Sequence, residues 1–329
     1  MNLFFGVISA LDFMQHYLWK YIDTRHPLYD KNNLYKDEFT NLLTQLDSLI
    51  GKIRILTRSD TNIMLVSDHG FGPHHSSFCI NQFLYEKQLL KKIGRINYLF
   101  QLIAKSPEIL RHLPQIIQRK QLPEDIHFEK IDIENSVALS INSVGSGGIS
   151  LNPLSIQDST EYQRIRNTVV TTLEDACRSL GIKCEIFLPE TIYTGELTSL
   201  APDILFILDG LATSVNRRFT QLRTGFFIKD SPPSNHTGEH RMNGIFLASG
   251  PDFKAGSTIE GAKLFDIAPT ILHMFDVPIP NDMDGRILTE IFSDDSEIAQ
   301  RTPMVVNPAY YDKKLEGEKL KSIIKKLKI

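Results

Sequence analysis

Three short stretches of this 329-residue chain combine carboxylate and imidazole side chains in spacings that suit metal binding. Asp68 and His69 are adjacent and follow an apolar run, where a buried strand would end. Asp12 and His16 are four residues apart in a segment free of Gly and Pro, so on a helix they project from one face. His240 is the third signal and precedes another apolar run. Carboxylate oxygen and imidazole nitrogen are ligands that Zn²⁺ takes from proteins.

Together these side chains supply two carboxylates and three imidazoles, which is more than one tetrahedral Zn²⁺ takes. The set suits two cations roughly 3.5–4 Å apart that clamp a phosphoryl group. Mixed oxygen and nitrogen ligands favour Zn²⁺ or Mn²⁺ over Mg²⁺ or Ca²⁺. His236 competes with His240 for the third position. The sequence therefore predicts a site for two divalent cations, with a phosphate-ester small molecule as the partner.

The elements before and around these residues predict an α/β fold. The order strand, helix, helix, strand implies a right-handed crossover and a mostly parallel sheet flanked by helices. Ligands of such sheets bind outside the carboxyl ends of the strands, so both Asp–His pairs should share one rim. The predicted elements are a strand at Leu3–Ile8, helices at Ala10–Tyr21 and Asp30–Gly51, and a strand at Asn62–Ser67.

Further along the chain, Phe71 to Phe78 reads as a loop that carries His74 and His75. Both histidines are substrate-side candidates, although solvated loop histidines are the plainer interpretation. Asp203, at the entrance of a buried strand, is a third candidate of this kind. His240 is predicted to lie on a loop before its strand. The remaining predictions are a helix at 81–90, a strand near 132–141, a loop at 145–148, strands at 149–151, 184–188, 204–208 and 244–249, and helices at 160–180 and 265–272.

Composition shifts divide the chain into four segments. Residues 1–90 and 131–292 are predicted to form the core, the latter with a cap-like segment. Residues 91–130 alternate basic and apolar side chains, which indicates a helical insertion, either a lid or a surface-docking hairpin. A basic amphipathic helix also permits a membrane-surface interpretation. Residues 293–329 form a polar, Lys-rich tail.

Bulk composition excludes several classes of function. The chain is 42% hydrophobic with a net charge of −3, which gives no basic excess for nucleic acid. Its three cysteines lack the spacing of a thiolate zinc site. No apolar run is long enough to span a membrane. No Lys or Arg precedes the apolar start, which argues against a signal peptide in this chain and predicts a cytoplasmic location, although a lost N-terminus could have carried one.

Several motifs resemble the type I phosphodiesterase/nucleotide pyrophosphatase group of the alkaline phosphatase superfamily. The resemblance runs from about residue 2 to residue 292. Its blocks are Ser9–Trp19 (S-x-x-D-x-x-x-H-x-x-W), Ser67–Gly72 (S-D-H-G-F-G), Ala201–Asp203 (A-P-D), Gly238–Pro251 (G-x-H-R-x-x-G-I-F-x-A-S-G-P) and 263–288 with D-I-A-P-T-I-L and M-D-G-R.

This resemblance implies an alkaline-phosphatase-like core and hydrolysis of phosphodiester or phosphate-ester bonds. It assigns Asp68 and His69 to the first metal, and Asp12, His16 and His240 to the second. In the family, a Thr or Ser nucleophile is held on the first metal.

The sequence departs from the family pattern upstream of the D-x-x-x-H block. The family's first-strand Asp and its nucleophile both precede that block, and here eleven residues lie upstream of Asp12. None of them supplies the Asp. Ser9 sits on the strand of the D-x-x-x-H block itself, so it does not match the nucleophile. No catalytic residue is therefore assigned. We expect a C-terminal portion of the family's domain that hydrolyses little by itself and that another, N-terminal chain could complete.

Two alternatives remain open at the level of sequence. One is a non-catalytic metal-binding or interaction remnant of the same fold. The other is a phosphoglycerate-mutase-like member of the superfamily, which shares the metal ligands. A sulfatase is disfavoured because the C-x-P-x-R and C-x-x-P-x-R signatures are lacking.

Overall fold

The computed structural model of the chain describes residues 3–93, 131–140, 143–144, 146–217, 219, 225–229 and 236–312. The helices are α1 (Ala10–Ile22), α2 (Lys36–Leu56), α3 (Ile80–Glu86), α4 (Ser159–Leu180), α5 (Pro189–Ile192), α6 (Ile267–Met274) and α7 (Glu297–Gln300). The strands are β1 (Ile63–Val66), β2 (Gly70–Pro73), β3 (Ser76–Cys79), β4 (Ala138–Leu139), β5 (Ser143–Val144), β6 (Ser146–Leu151), β7 (Cys184–Phe187), β8 (Ile204–Leu208), β9 (Thr213–Asn216), β10 (Phe227–Lys229), β11 (Gly238–Arg241), β12 (Phe246–Ser249), β13 (Ile279–Pro280) and β14 (Val305–Val306).

Contacts divide the chain into two compact units. The first unit comprises Met1–Leu42 and Phe71–Met242, and the second comprises Leu43–Gly70 and Asn243–Ile329. The strand orders in the first unit are β4-β6-β8-β7, with β5 on β6, then β10-β3-β9, and β11-β2. The second unit contains the pairs β1-β12 and β13-β14.

The core of the first unit forms where α4 and β8 present apolar faces. Asp158 caps α4 by accepting from the Glu161 amide, and Gly181 ends it in the left-handed region at φ 69°. Burial alternates along β8 as expected for a strand with one buried face. Side chains in this core include Ile165, Val169, Leu173, Ile204, Phe206 and Leu208.

In the second unit, the closing motifs of the sequence are joined by one buried carboxylate. Asp266 is 2% exposed, and its side chain accepts from the amides of Lys263 and Arg286. At Gly285 a Cβ would lie 2.0 Å from the Phe265 carbonyl oxygen, so only glycine permits this approach. The D-I-A-P-T and M-D-G-R segments are therefore held together as structural parts. The adjacent core comprises Phe253, Leu288, Ile291, Phe292 and Ile298.

The α/β class is confirmed, but a mostly parallel sheet is not. Among the described pairings of stated direction, β3–β9 and β13–β14 are parallel. The antiparallel pairs are β1–β12, β10–β3, β4–β6, β5–β6, β6–β8 and β7–β8. The parallel expectation depended on a first strand at Leu3–Ile8, and residues 3–9 form neither helix nor strand. Leu3, Phe4, Phe5, Val7 and Ile8 are each at least half exposed. A strand exists only where a neighbour completes its hydrogen bonds, and no described strand pairs with this segment.

Local signals located most helices correctly and several loops wrongly. α1, α4, β1, β7 and β8 lie where the sequence predicted them, to within a few residues. The predicted loop 71–78 instead contains β2 and β3, because non-local partners complete these short strands.

The predicted strand at 132–141 is confined to β4, and the predicted loop at 145–148 is partly β6. Gly147 lies in β6 opposite Phe206, whose ring would be 2.0 Å from a Cβ at this position, so the strand requires glycine there.

Two predicted segments lie largely or partly outside the described residues. These are the insertion at 91–130, of which 94–130 is not described, and the tail at 293–329, of which 313–329 is not described. The four segment boundaries stay predictions. In the described part of the chain, no helix is both long and apolar enough to cross a membrane.

Candidate metal centre

The structure brings together Asp12, His16 and His240 in the first unit. The Nε2 atoms of the two histidines are 3.1 Å apart. The Oδ1 atom of Asp12 lies 3.6 Å from Nε2 of His16 and 3.4 Å from Nε2 of His240. Three ligand atoms thus converge, although His16 and His240 are 224 positions apart in sequence. We call these three residues the triad.

Helix α1 supplies two members of the triad. Asp12 lies in the first turn and His16 one turn further, so both project from the same face. An acidic side chain in the first turn also interacts favourably with the helix dipole. The predicted helix, with Asp12 and His16 on one face, is therefore confirmed.

His240 reaches the triad from β11, not from a loop. The sequence prediction placed it before its strand, but Gly238–Arg241 itself pairs with β2. In a strand, successive side chains alternate between the two faces, so His240 has a direction fixed by the strand. The loop assignment was wrong because β11 exists only through a partner more than 160 residues away in the sequence.

The strand β11 lies directly against α1, and Gly238 makes this approach possible. A Cβ at Gly238 would lie 2.3 Å from the Gln15 carbonyl oxygen. Nδ1 of His16 is 3.0 Å from the Gly238 carbonyl oxygen. An N–H at Nδ1 therefore donates to that carbonyl, which assigns the lone pair of His16 to Nε2, the atom that faces the triad.

Thr237, the residue before β11, also binds to α1 through hydrogen bonds. Its amide donates to the His16 carbonyl at 2.6 Å, and its hydroxyl donates to the Tyr17 carbonyl at 3.1 Å. Its carbonyl is 3.0 Å from Nε2 of His26, which is 3% exposed. Burial is the main cause that lowers the pKa of His26, so the neutral imidazole is favoured there.

Two aromatic residues that the site prediction missed pack beside the triad. Phe71 meets the rings of His16 and His240 edge to face, with centroids 4.8 and 5.2 Å away. Trp19 stacks on Phe71, with ring centroids 5.8 Å apart. Both residues stand inside the motif blocks, Trp19 closing the first and Phe71 in S-D-H-G-F-G, which was the available signal.

The triad fits a divalent cation of the zinc type. Ligand atoms 2.0–2.1 Å from a tetrahedral Zn²⁺ are about 3.3–3.4 Å apart. The three separations of the triad, 3.1, 3.4 and 3.6 Å, lie around that value. Two imidazole nitrogens and one carboxylate also leave a fourth position for another ligand, as in catalytic zinc sites.

Asp68 and His69 belong to the second unit. Oδ1 of Asp68 is 3.6 Å from Nε2 of His69, and Nδ1 of His69 is 3.0 Å from the Gly70 carbonyl oxygen. The Asp68 side chain is 72% exposed. The preceding residue is anchored, since Ser67 Oγ accepts from the Ile245 amide at 2.8 Å. The assignment of this pair to a first metal stays a prediction.

His236, the competitor of His240, lies beside the triad and contacts Tyr17. Its Nε2 is 3.1 Å from the Tyr17 hydroxyl, and its ring centroid is 5.0 Å from that of His16. Burial lowers the pKa of His236, and His16 adds to this effect. Among the described residues, the converging ligand atoms belong to Asp12, His16 and His240, so His240 rather than His236 completes the triad.

The substrate-side candidates have different surroundings. His74 is 2% exposed, and its Nε2 lies 3.0–3.1 Å from Ser76 O, Ser77 Oγ and Ser214 Oγ. The interpretation of His74 as a solvated loop histidine is therefore wrong. Burial also lowers the pKa of His74, which favours the neutral imidazole. His75 is half-buried between β2 and β3.

Asp203 is engaged by its neighbours, since it accepts from the Tyr162 hydroxyl and from the Leu151 amide. It lines a cleft of about 490 Å³ together with Tyr162, Glu190 and Thr198. The substrate-side roles of His74, His75 and Asp203 stay predictions.

Comparison with known proteins supplies the family. The sequence profile described as "Type I phosphodiesterase / nucleotide pyrophosphatase" matches residues 1–218, which is more than half of the chain. The match includes Asp12, His16, Asp68 and His69, whereas His240 lies beyond it. No curated protein matches the chain. The chain belongs to the type I phosphodiesterase/nucleotide pyrophosphatase family, and so to the alkaline phosphatase superfamily.

Proposed function

We propose that this chain binds one divalent cation at the triad and takes part in the hydrolysis of phosphodiester or nucleotide substrates. The observation that carries the proposal is the convergence of Asp12, His16 and His240 in a member of a metal-dependent hydrolase family. The ligand set of one carboxylate and two imidazoles favours Zn²⁺, with Mn²⁺ second.

The triad residues have distinct tasks in this proposal. Asp12 supplies negative charge, which offsets part of the charge of the cation. His16 offers Nε2 because the Gly238 carbonyl holds the proton on Nδ1. His240 closes the set from β11. When bound, a cation of this kind polarises a phosphoryl oxygen and stabilises the charge that develops in the transition state.

We further propose that the chain by itself hydrolyses these substrates slowly. No residue of this sequence matches the family's Thr or Ser nucleophile, and Asp68 with His69 offers two ligands for a first cation. Residues that act as a unit in catalysis are strongly non-additive, and loss of a nucleophile costs on the order of 10⁶ in rate. A second chain that supplies the missing ligands and nucleophile would restore the rate.

The test measures hydrolysis of bis-p-nitrophenyl phosphate and zinc binding on the same preparations. We expect zinc binding with turnover far below that of ordinary enzymes. His240→Ala should lose zinc, and His75→Ala, which alters a half-buried histidine outside the triad, should keep it. Turnover at rates typical of enzymes, abolished by His240→Ala, would contradict the slow-hydrolysis proposal. Absence of zinc binding would contradict the metal site itself.

A further inference from the structure

His240 must be held in place by something other than its own strand pair. β11 pairs with β2 in a sheet of two strands. Two-stranded sheets are marginally stable unless other contacts fix them. The side chain next to His240 in sequence, Arg241, supplies such contacts.

The half-buried guanidinium of Arg241 donates to main-chain carbonyl groups on several segments. Nη1 donates to the carbonyl of His240 at 2.8 Å, of Glu239 at 3.3 Å and of Leu211 at 3.4 Å. Nη2 donates to the carbonyl of Pro73 on β2. Arginine suits this task because its planar fork carries five donors in fixed directions. Arg241 thus ties the backbone of His240 to the neighbouring strand.

Gly72 provides the space in which this guanidinium lies. A Cβ at Gly72 would be 2.6 Å from Nε, 2.7 Å from Cζ and 2.8 Å from Nη2 of Arg241. Phe71, the residue before Gly72, packs against the ring of His240. The strand β2 therefore contacts the ring of His240 through Phe71. At the next residue, Gly72, it leaves room for the guanidinium of Arg241.

We infer that Arg241 is a positioning residue for the metal ligand His240, and that Gly72 is required for it to act. This inference rests on the proposed function, since it concerns the same cation. Residues that orient metal ligands typically contribute about 10- to 100-fold to metal affinity. Arg241→Met should therefore weaken Co²⁺ binding by about 10- to 100-fold, and Arg241→Lys should restore part of the loss.

Arg301 offers a matched control. Its guanidinium also donates to main-chain carbonyls, those of His273 at 2.9 Å and Met274 at 3.2 Å, and it belongs to the second unit. Arg301→Met removes bonds of the same kind without touching β11. We expect its Co²⁺ affinity to equal that of the wild type.

The experiment titrates the full chain with Co²⁺, reads affinity by calorimetry and ligand geometry by visible absorption, and checks folding by circular dichroism. A weaker affinity with an altered spectrum in Arg241→Met, but not in Arg301→Met, supports the inference. Unchanged affinity in a folded Arg241→Met overturns it while leaving the metal site intact.

Gly72→Ala provides a second route, which decides the matter if Arg241→Met does not fold. Because the added methyl displaces the guanidinium, Gly72→Ala should also weaken Co²⁺ binding. The double variant with Arg241→Lys should lose less than the sum of the two single losses, as expected for residues that share one interaction. If the single variants Gly72→Ala and Arg241→Lys both bind Co²⁺ with wild-type affinity, the inference is overturned. A wild-type chain that binds no Co²⁺ overturns the proposed function, and the inference with it.

Discussion

The Gly238 carbonyl lies 3.0 Å from Nδ1 of His16, and a side chain at Gly238 would collide with the Gln15 carbonyl oxygen of α1. This relationship fixes both the distance between α1 and β11 and the ring nitrogen that His16 presents to the triad. A motif glycine therefore serves the metal site through the backbone contact that it permits.

Replacing Gly238 by alanine should disrupt this junction. The added Cβ would lie 2.3 Å from the Gln15 carbonyl oxygen, so α1 and β11 must separate. Overpacking of this kind costs about 1–3 kcal/mol in the free energy of unfolding, measurable by urea denaturation. Gly51→Ala is the control, because a Cβ on that helical glycine meets nothing within 4 Å. It should raise stability by about 0.5–1 kcal/mol. Equal stability of both variants would contradict the close contact.

Trp19 should report cation binding by fluorescence. It is the single tryptophan of the chain and stacks on Phe71, which touches both imidazoles of the triad. Co²⁺ at the triad should therefore quench the Trp19 emission in a saturable titration. His240→Ala should remove the saturable phase. Quenching of the same amplitude and midpoint in His240→Ala would show that the cation binds elsewhere.

The sequence predicted the parts of this site that depend on neighbouring residues, and it predicted less well those that depend on strands distant in sequence. Asp12 and His16 could be paired from their spacing because a helix repeats within a few residues. The convergence of His240 with them depends on β11, whose partner strand is distant in sequence. Ligand chemistry suggested that His240 joins the site, but only the resemblance to a family assigned it to the same cation as Asp12 and His16. The strand β2 reads Gly-Phe-Gly-Pro, a poor strand sequence, and forms because β11 completes it. The predicted parallel strand directions were not confirmed for the same reason, because they too depend on partners distant in sequence.

Acid should remove a contribution of Asp23 to stability. Arg25 is the main cause that lowers the pKa of Asp23 to about 2, from 3.8, and Trp19 also donates to this carboxylate. Because the folded pKa is depressed, the contribution is complete above pH 3.8 and is lost as the pH falls towards 2. Thermal unfolding between pH 5 and pH 2 should therefore show a smaller decline in Asp23→Asn. Asp60→Asn, at an aspartate 59% exposed, is the control and should follow the wild type. Parallel declines in all three proteins would contradict this role.

Tyr162 should ionise at a higher pH than an ordinary tyrosine, and its hydrogen bond to Asp203 should contribute to this shift. Burial, followed by the hydrogen bond to Asp203, raises the pKa of Tyr162 to about 12. Asp203→Asn should lower that pKa while leaving it above 10.0, because the larger effect, burial, remains. The associated stability is present below pH 10.0 and lost as the pH rises towards 12. Tyrosine-labelled NMR, with Tyr162→Phe to assign the signal, measures the shift. An unchanged pKa in Asp203→Asn would contradict the assignment.

The most direct test of the central claim is the zinc content of the chain after loading and removal of free metal, measured by mass spectrometry. The triad predicts about one zinc per chain, and less than a tenth of that in His240→Ala and Asp12→Asn. His75→Ala should match the wild type. A wild-type chain without zinc, or a His240→Ala variant that retains the wild-type content, would show that Asp12, His16 and His240 do not form the metal centre.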